Sequence, residues 1–151
     1  MKENRGLMMG EQIYFEDVNV GDAMPELVKG PLQKLQFVMY AGASGDFNPL
    51  HNDDEFAMAV GMKNGVISHG MLVMGIVGQA ITAWIPQKYL KKFGVRFAGM
   101  TQKNSTITVS GTVTDKRVEG GENIVSCDVI AKDENGDVKV SGHFEASLPS
   151  K

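Results

Sequence analysis

Met71-Leu72-Val73-Met74-Gly75-Ile76-Val77-Gly78-Gln79-Ala80-Ile81-Thr82-Ala83-Trp84-Ile85 decides how the rest of the chain must fold. Only Gln79 and Thr82 in it are polar, so nearly every face of the helix it predicts is apolar. A helix that is apolar all round is expected to be buried all round. Gly75 and Gly78 each lower helix propensity by about 1 kcal/mol relative to alanine, and close approach of a sheet to that face would compensate. Pro86 ends the helix.

Beyond Pro86 the apolar period shifts from 3.6 to 2. Gly94–Ala98 reads as a strand. Across 106–114, Ile107, Val109 and Val113 face one way while Thr106, Thr108, Ser110, Thr112 and Thr114 face the other. Gly120-Gly121 turns the chain into 123–131, where Val125, Cys127, Val129 and Ala131 share a face. Asn135-Gly136 is a hairpin signal leading into 138–146, with Val138, Val140, Phe144 and Ala146 together. The single cysteine, Cys127, is expected in the core, and its solitude excludes an internal disulfide or a cysteine-based zinc site.

Upstream of the helix, residues 1–12 read as a flexible tail and 13–148 as a single domain. A short strand is expected around Ile13–Phe15, a turn at Val20-Gly21-Asp22, and an extended stretch at Glu26–Lys29. Leu32, Leu35, Phe37, Val38 and Met39 approximate a helical stripe over Leu32–Gly42. A loop follows over Ala43–Asn52. Asn52 or Asp53 then caps a short helix, Asp54–Val60. The economical packing is α+β: a curved antiparallel sheet wrapped around one long buried helix. One sheet layer cannot enclose a helix, so a second protomer is expected to complete the burial, making a homodimer.

A formal charge of −3 and a pI near 5.6 argue against a nucleic-acid or anionic-membrane surface. Lys88, Lys91 and Lys92, the longest basic grouping, are placed at the end of the helix, where they suit its dipole. Met1–Gly10 lacks the apolar run of a secretion signal. The apolar segment at 71–85 is shorter than the roughly 18 residues of a membrane span. A soluble, cytoplasmic protein is expected.

The chemistry concentrates in Ser44-Gly45-Asp46-Phe47-Asn48-Pro49-Leu50-His51. Extended, this stretch would hold Asp46 and His51 roughly 16–18 Å apart. Gly45 permits positive φ, Asn48 forms side-chain-to-backbone turns and Pro49 fixes its own φ, so a turn can bring carboxylate and imidazole to one small volume. Adding water across a double bond needs such a pair, one group to activate water and one to handle the proton at the neighbouring carbon. On spacing alone, a capping aspartate followed by a loop histidine looks the same. A second element is Ser68-His69-Gly70 at the head of the central helix, whose first N–H groups lack partners and carry the positive end of the dipole. A thioester carbonyl placed against Gly70 would be polarised there. His69 reads as structural, and His143 as a surface or interface residue. Met58, Met62, Met71 and Met74 are either core or lining for an acyl pocket.

The run Tyr40-Ala41-Gly42-Ala43-Ser44-Gly45-Asp46-Phe47-Asn48-Pro49-Leu50-His51, followed by His69-Gly70-Met71, resembles the MaoC-like dehydratases, which include (R)-specific enoyl-CoA hydratases of hot-dog fold. The likeness extends from about Tyr14 to Glu145 and takes in Phe15-Glu16-Asp17, Val20-Gly21-Asp22 and Phe93-Gly94-Val95-Arg96-Phe97. The resemblance implies a hydratase or dehydratase, a lyase acting on an acyl-CoA or acyl-carrier-protein thioester and working as a dimer. It implies Asp46 and His51 as the catalytic pair, Asn48 as the residue that holds the loop, and the Gly70 backbone N–H as the oxyanion hole. No metal or redox cofactor is implied. Two departures stand out: Gly78 occupies a place where relatives often carry a serine, and Gly99-Met100-Thr101-Gln102-Lys103-Asn104 replaces a common Pro-Gly-Asp turn. Two other readings compete. An acyl-thioester hydrolase would keep the glycine without needing Asp46 and His51, and a non-catalytic acyl-binding subunit would need an active partner.

Overall fold

Val73, Ile76, Val77, Ala80, Ile81 and Trp84 recur at three- and four-residue spacing and form the buried face of helix α3, Gly70–Trp84. That face packs on an antiparallel sheet. The structure, a computed structural model, describes residues 12–151. The expected N-terminal tail lies, all but Gln12, outside the described residues. In chain order the elements are β1 (Leu27–Lys29), α1 (Lys34–Ser44), α2 (Asp54–Ala59), α3, β2 (Leu90–Phe97), β3 (Ile107–Glu119), β4 (Glu122–Lys132) and β5 (Val138–Ser147). The sheet order is β1-β3-β4-β5-β2, every pairing antiparallel. This is the hot-dog arrangement: a sheet curled around a central helix.

The period-2 reading of the C-terminal half holds at most of the inward positions; Val138, read with Val140, Phe144 and Ala146, is only partly buried. Ile107, Val109 and Val113 of β3, Val125, Cys127, Val129 and Ala131 of β4, and Val140, Phe144 and Ala146 of β5 are all buried. At the far end of α3, Trp84 meets Phe144 edge to face, centroids 6.4 Å apart. One row of the register runs Gly111, Val129, Gly142, Val95 across β3, β4, β5 and β2. Both glycines are sterically required. A Cβ on Gly142 would strike the Gly94 carbonyl oxygen, and one on Gly111 would stand 2.7 Å from the Asp128 carbonyl and 2.8 Å from Met24 Sδ.

Several local expectations are corrected. The sheet does not approach Gly75, which is exposed with nothing within 4 Å of its missing Cβ; with Met71, Gln79, Thr82 and Ala83 it lies on the side of α3 that a single sheet layer is expected to leave open. In α1 the buried residues are Phe37 and Ala41, while Leu35, Val38 and Met39 are exposed. Ile13–Phe15 does not pair as a strand. Phe15 N–H donates to the Pro149 carbonyl at 2.9 Å and a single 3-10 turn, Phe15–Asp17, follows. The lysines do not end a helix, because Pro86 stops α3 too early. Lys88 falls in a short turn, and Lys91 and Lys92 lie on β2, paired with Glu122 at 2.6 Å and Glu145 at 3.0 Å. Among the described residues no helix is long and apolar enough to cross a membrane.

Candidate active site

The turn that carries Asp46 begins where α1 stops. Gly45 closes the helix in the left-handed region at φ +76°, its N–H donating to the Ala41 carbonyl at 2.9 Å. Asp46 follows, fixed at several atoms. Its N–H donates to Ser44 Oγ at 3.2 Å, and its Oδ1 accepts the Asn48 N–H at 3.2 Å. Asn48 continues the stitching: its Oδ1 accepts the Leu50 N–H at 3.0 Å and its carbonyl the His51 N–H at 3.0 Å. Pro49–His51 is thereby wound into one 3-10 turn. The chain doubles back, and Asp46 Oδ2 stands 3.8 Å from His51 Nε2.

His51 is oriented from its other nitrogen. Nδ1 lies 2.8 Å from the Ile67 carbonyl. A carbonyl only accepts, so Nδ1 carries the proton, and in the neutral ring Nε2 is left with its lone pair toward Asp46. The 3.8 Å gap is too long for a direct hydrogen bond and short enough for one water to touch both groups.

His51 and Gly70 line one cavity of about 410 Å³, together with Val73, Phe97, Met100 and Thr101. Gly70 is the first residue of α3, so its N–H heads the helix with no acceptor in a preceding turn. A Cβ there would stand 3.2 Å from the Phe97 ring. Asp46 and Asn48 do not line this cavity; Asp46, its side chain 53% exposed, approaches it through His51. None of Met58, Met62, Met71 and Met74 lines it, and the methionine that does is Met100, in the loop after β2. A larger depression, about 920 Å³, lies over the outer sheet face among Arg96, Asp128 and His143, away from the helix end and from the Asp46–His51 pair.

Asp46, His51 and His69 also fall close enough together to suggest a metal site. The ring geometry opposes it. His51 and His69 are stacked, with centroids 3.8 Å apart and planes at 26°. In-plane lone pairs on stacked rings run side by side and do not converge on one ion, and His69 Nε2 is taken by the Asp46 carbonyl at 3.0 Å.

The family profile described as MaoC like domain matches residues 18–135. The chain belongs to the MaoC-like family. Among relatives it is 30% identical over 112 residues to the (R)-specific enoyl-CoA hydratase of Rhodospirillum rubrum, covering 69% of this chain and 74% of that one. It is 36% identical over 101 residues to the peroxisomal hydratase-dehydrogenase-epimerase of Neurospora crassa, covering 66% of this chain. It spans only 10% of that relative, and 31% of the Mycobacterium tuberculosis enoyl-CoA hydratase ChsH3. The backbone matches R-hydratase PhaJ1 of Pseudomonas aeruginosa with a TM-score of 0.80 at 24% identity, over 93% of this chain and 88% of that one. That likeness establishes the MaoC-type hot-dog fold.

The turn and the helix end were legible in the sequence. The Ile67 carbonyl that orients His51 was not, since a backbone acceptor leaves no mark on residue type. Phe97 was visible only as a member of the Gly94–Ala98 strand and of the Phe93–Phe97 run, with nothing to place its ring at the site.

Proposed function

We propose that this protein adds water across trans-2-enoyl thioesters to give (3R)-hydroxyacyl thioesters, or removes it in reverse. The observation that carries this reading is the bare His51 Nε2 held 3.8 Å from Asp46 Oδ2, beside the head of α3. The thioester carbonyl accepts a hydrogen bond from the Gly70 N–H, which draws electron density from C3. One water sits between His51 and Asp46. Its O–H bond breaks as its oxygen joins C3, the pair takes that proton, and the pair delivers a proton to C2. The net change is one water added, and dehydration runs the same steps backward. The likeness to the (R)-specific enoyl-CoA hydratase of Rhodospirillum rubrum supports this lyase chemistry.

The same reading makes residues 13–148 one working domain, and a second copy of the chain the partner that covers the open face of α3 and the half-exposed Asp46. The substrate is an acyl-CoA or acyl-carrier-protein thioester, the compartment the cytoplasm, and the proposed steps use no cofactor.

The test is ultraviolet monitoring of crotonyl-CoA hydration by the purified chain, with product chirality and free thiol measured in parallel. Loss of enoyl absorbance with formation of the (3R) product is expected. Thiol release without hydration would point to a hydrolase. Inertness of the pure chain would point to an acyl-binding subunit, and either result overturns the proposal.

A further inference from the structure

His69 occupies a place that neither of the two groups beside it explains. It is 2% exposed, although it precedes a glycine that opens on a cavity. Its backbone caps α3, with its carbonyl accepting the N–H groups of Leu72 at 3.2 Å and Val73 at 3.4 Å. Its ring turns away from the helix into the carboxylate turn. There one face stacks on His51, and Tyr40 of α1 meets it edge-on at 4.9 Å. Nε2 lies 3.0 Å from the backbone carbonyl of Asp46. Nδ1 is buried without a partner.

These contacts fix the ring's chemistry. The Asp46 carbonyl accepts, so Nε2 carries the proton and donates it. In the neutral ring Nδ1 is therefore bare. The stack presses one imidazole on the other, so the lateral position of His51 depends on His69 as its direction depends on Ile67. The bond to the Asp46 carbonyl adds a third tie to that residue, beside its backbone N–H to Ser44 and its side-chain Oδ1, which accepts from Asn48. One ring thus touches both members of the pair and begins the helix that presents Gly70.

We infer that His69 is a positioning residue: its Nε2–H and its ring face set the distance between Asp46 and His51, and both to the Gly70 N–H. The inference rests on the reading of Asp46 and His51 as the reacting pair. His69 neither meets substrate nor exchanges a proton in the reaction.

Two substitutions separate the parts. His69→Phe keeps a ring against His51 and Tyr40 but lacks the donor. His69→Gln lacks the ring but brings an amide N–H to a similar reach. The expected result for His69→Phe is a fall in kcat of about 10²-fold with little change in KM, the loss that a misplacement near 1 Å produces. His69→Gln should recover kcat to within about tenfold of wild type, because the bond to Asp46 is restored. Equal kcat for the two folded variants, or a wild-type kcat in His69→Phe, overturns the inference.

A second readout does not need turnover. In protein labelled with ¹⁵N-histidine, the wild-type His69 ring should show its proton on Nε2. The His51 ring signals should move in His69→Gln, which removes the stacked ring, and stay nearer their wild-type positions in His69→Phe, which keeps one. A His69 proton on Nδ1, or unmoved His51 signals in His69→Gln, overturns it. If the wild-type chain fails to hydrate enoyl thioesters, the functional proposal falls, and these ring signals still decide whether His69 holds the pair. If His69→Phe fails to fold, the wild-type tautomer and His69→Gln kinetics decide.

Discussion

The Asp54 carboxylate accepts the backbone N–H of Val66 at 3.0 Å, while Lys34 and Lys103 each approach it at 2.8 Å. Val66 is followed by Ile67, whose carbonyl holds His51 Nδ1. Asp54 therefore fastens α2, the head of α1 and the 103 loop to the strand of backbone that orients the imidazole. Hydrogen bonds from Lys103, then Lys34, then the Val66 N–H hold its carboxyl well below the usual carboxylate range. A carboxyl whose folded pKa is depressed contributes stability that is present above its unfolded pKa and is lost as pH falls through the folded value. We expect melting temperature to decline as pH is lowered below about 4. Asp54→Asn should flatten that decline and lower the melting temperature at pH 7. Differential scanning calorimetry from pH 2 to 7 checks both.

Asp46→Asn and His51→Gln should each lower kcat for enoyl-thioester hydration by about 10²–10⁴-fold, the usual worth of positioned acid–base groups. The two effects should not multiply in the double variant, since both groups grip one water. Near-native rates in either single variant would remove the pair from the mechanism.

Gly70→Ala places a methyl 3.2 Å from the Phe97 ring, at the mouth of the cavity. Phe97 is half exposed and can give way, so the fold should survive. The methyl would stand in the space a thioester oxygen needs, and kcat/KM should fall about tenfold or more. Circular dichroism and steady-state kinetics on the same preparation separate the two effects.

Burial, aided by the neighbouring Asp128, pushes the Cys127 thiol up to about 12. At pH 8 the folded chain should leave an aromatic disulfide reagent unreacted, and one thiol equivalent should appear on unfolding in guanidinium. Fast reaction of the native protein would contradict the packing of β4.

Phe144 is fully buried and meets Trp84, the one tryptophan of the chain. Phe144→Ala should cost about 3–5 kcal/mol, the range for emptying an aromatic core site. Tryptophan fluorescence in a denaturant titration reads the loss directly.

What the sequence disclosed follows what leaves a trace in residue type. Alternation in β3, β4 and β5 put Val109, Cys127 and Phe144 on the inner face without ambiguity, because burial and period are the same signal there. The turn from Gly45 to His51 was legible because glycine, asparagine and proline each narrow the backbone. That α3 keeps an open face followed from having one sheet layer, but which residues form it did not: Met71, Gly75 and Ala83 are apolar whether or not anything covers them. The stripe assigned to α1 failed for a related reason. Leu35, Val38 and Met39 count as apolar in any periodicity, yet only Phe37 and Ala41 of that helix point at the core. The role of His69 was hidden because its partners, a backbone carbonyl and another imidazole, come together only in three dimensions.

The row through Gly111 and Gly142 bears on how this scaffold can be altered. Any side chain at 142 meets the backbone of β2, and any at 111 meets that of β4, so relief would require moving strands as whole bodies. A mutagenesis library should hold both codons fixed. Gly75, with nothing within 4 Å of its missing Cβ, takes a side chain without disturbing the sheet, and variation there would probe the docking of a second copy on α3 instead.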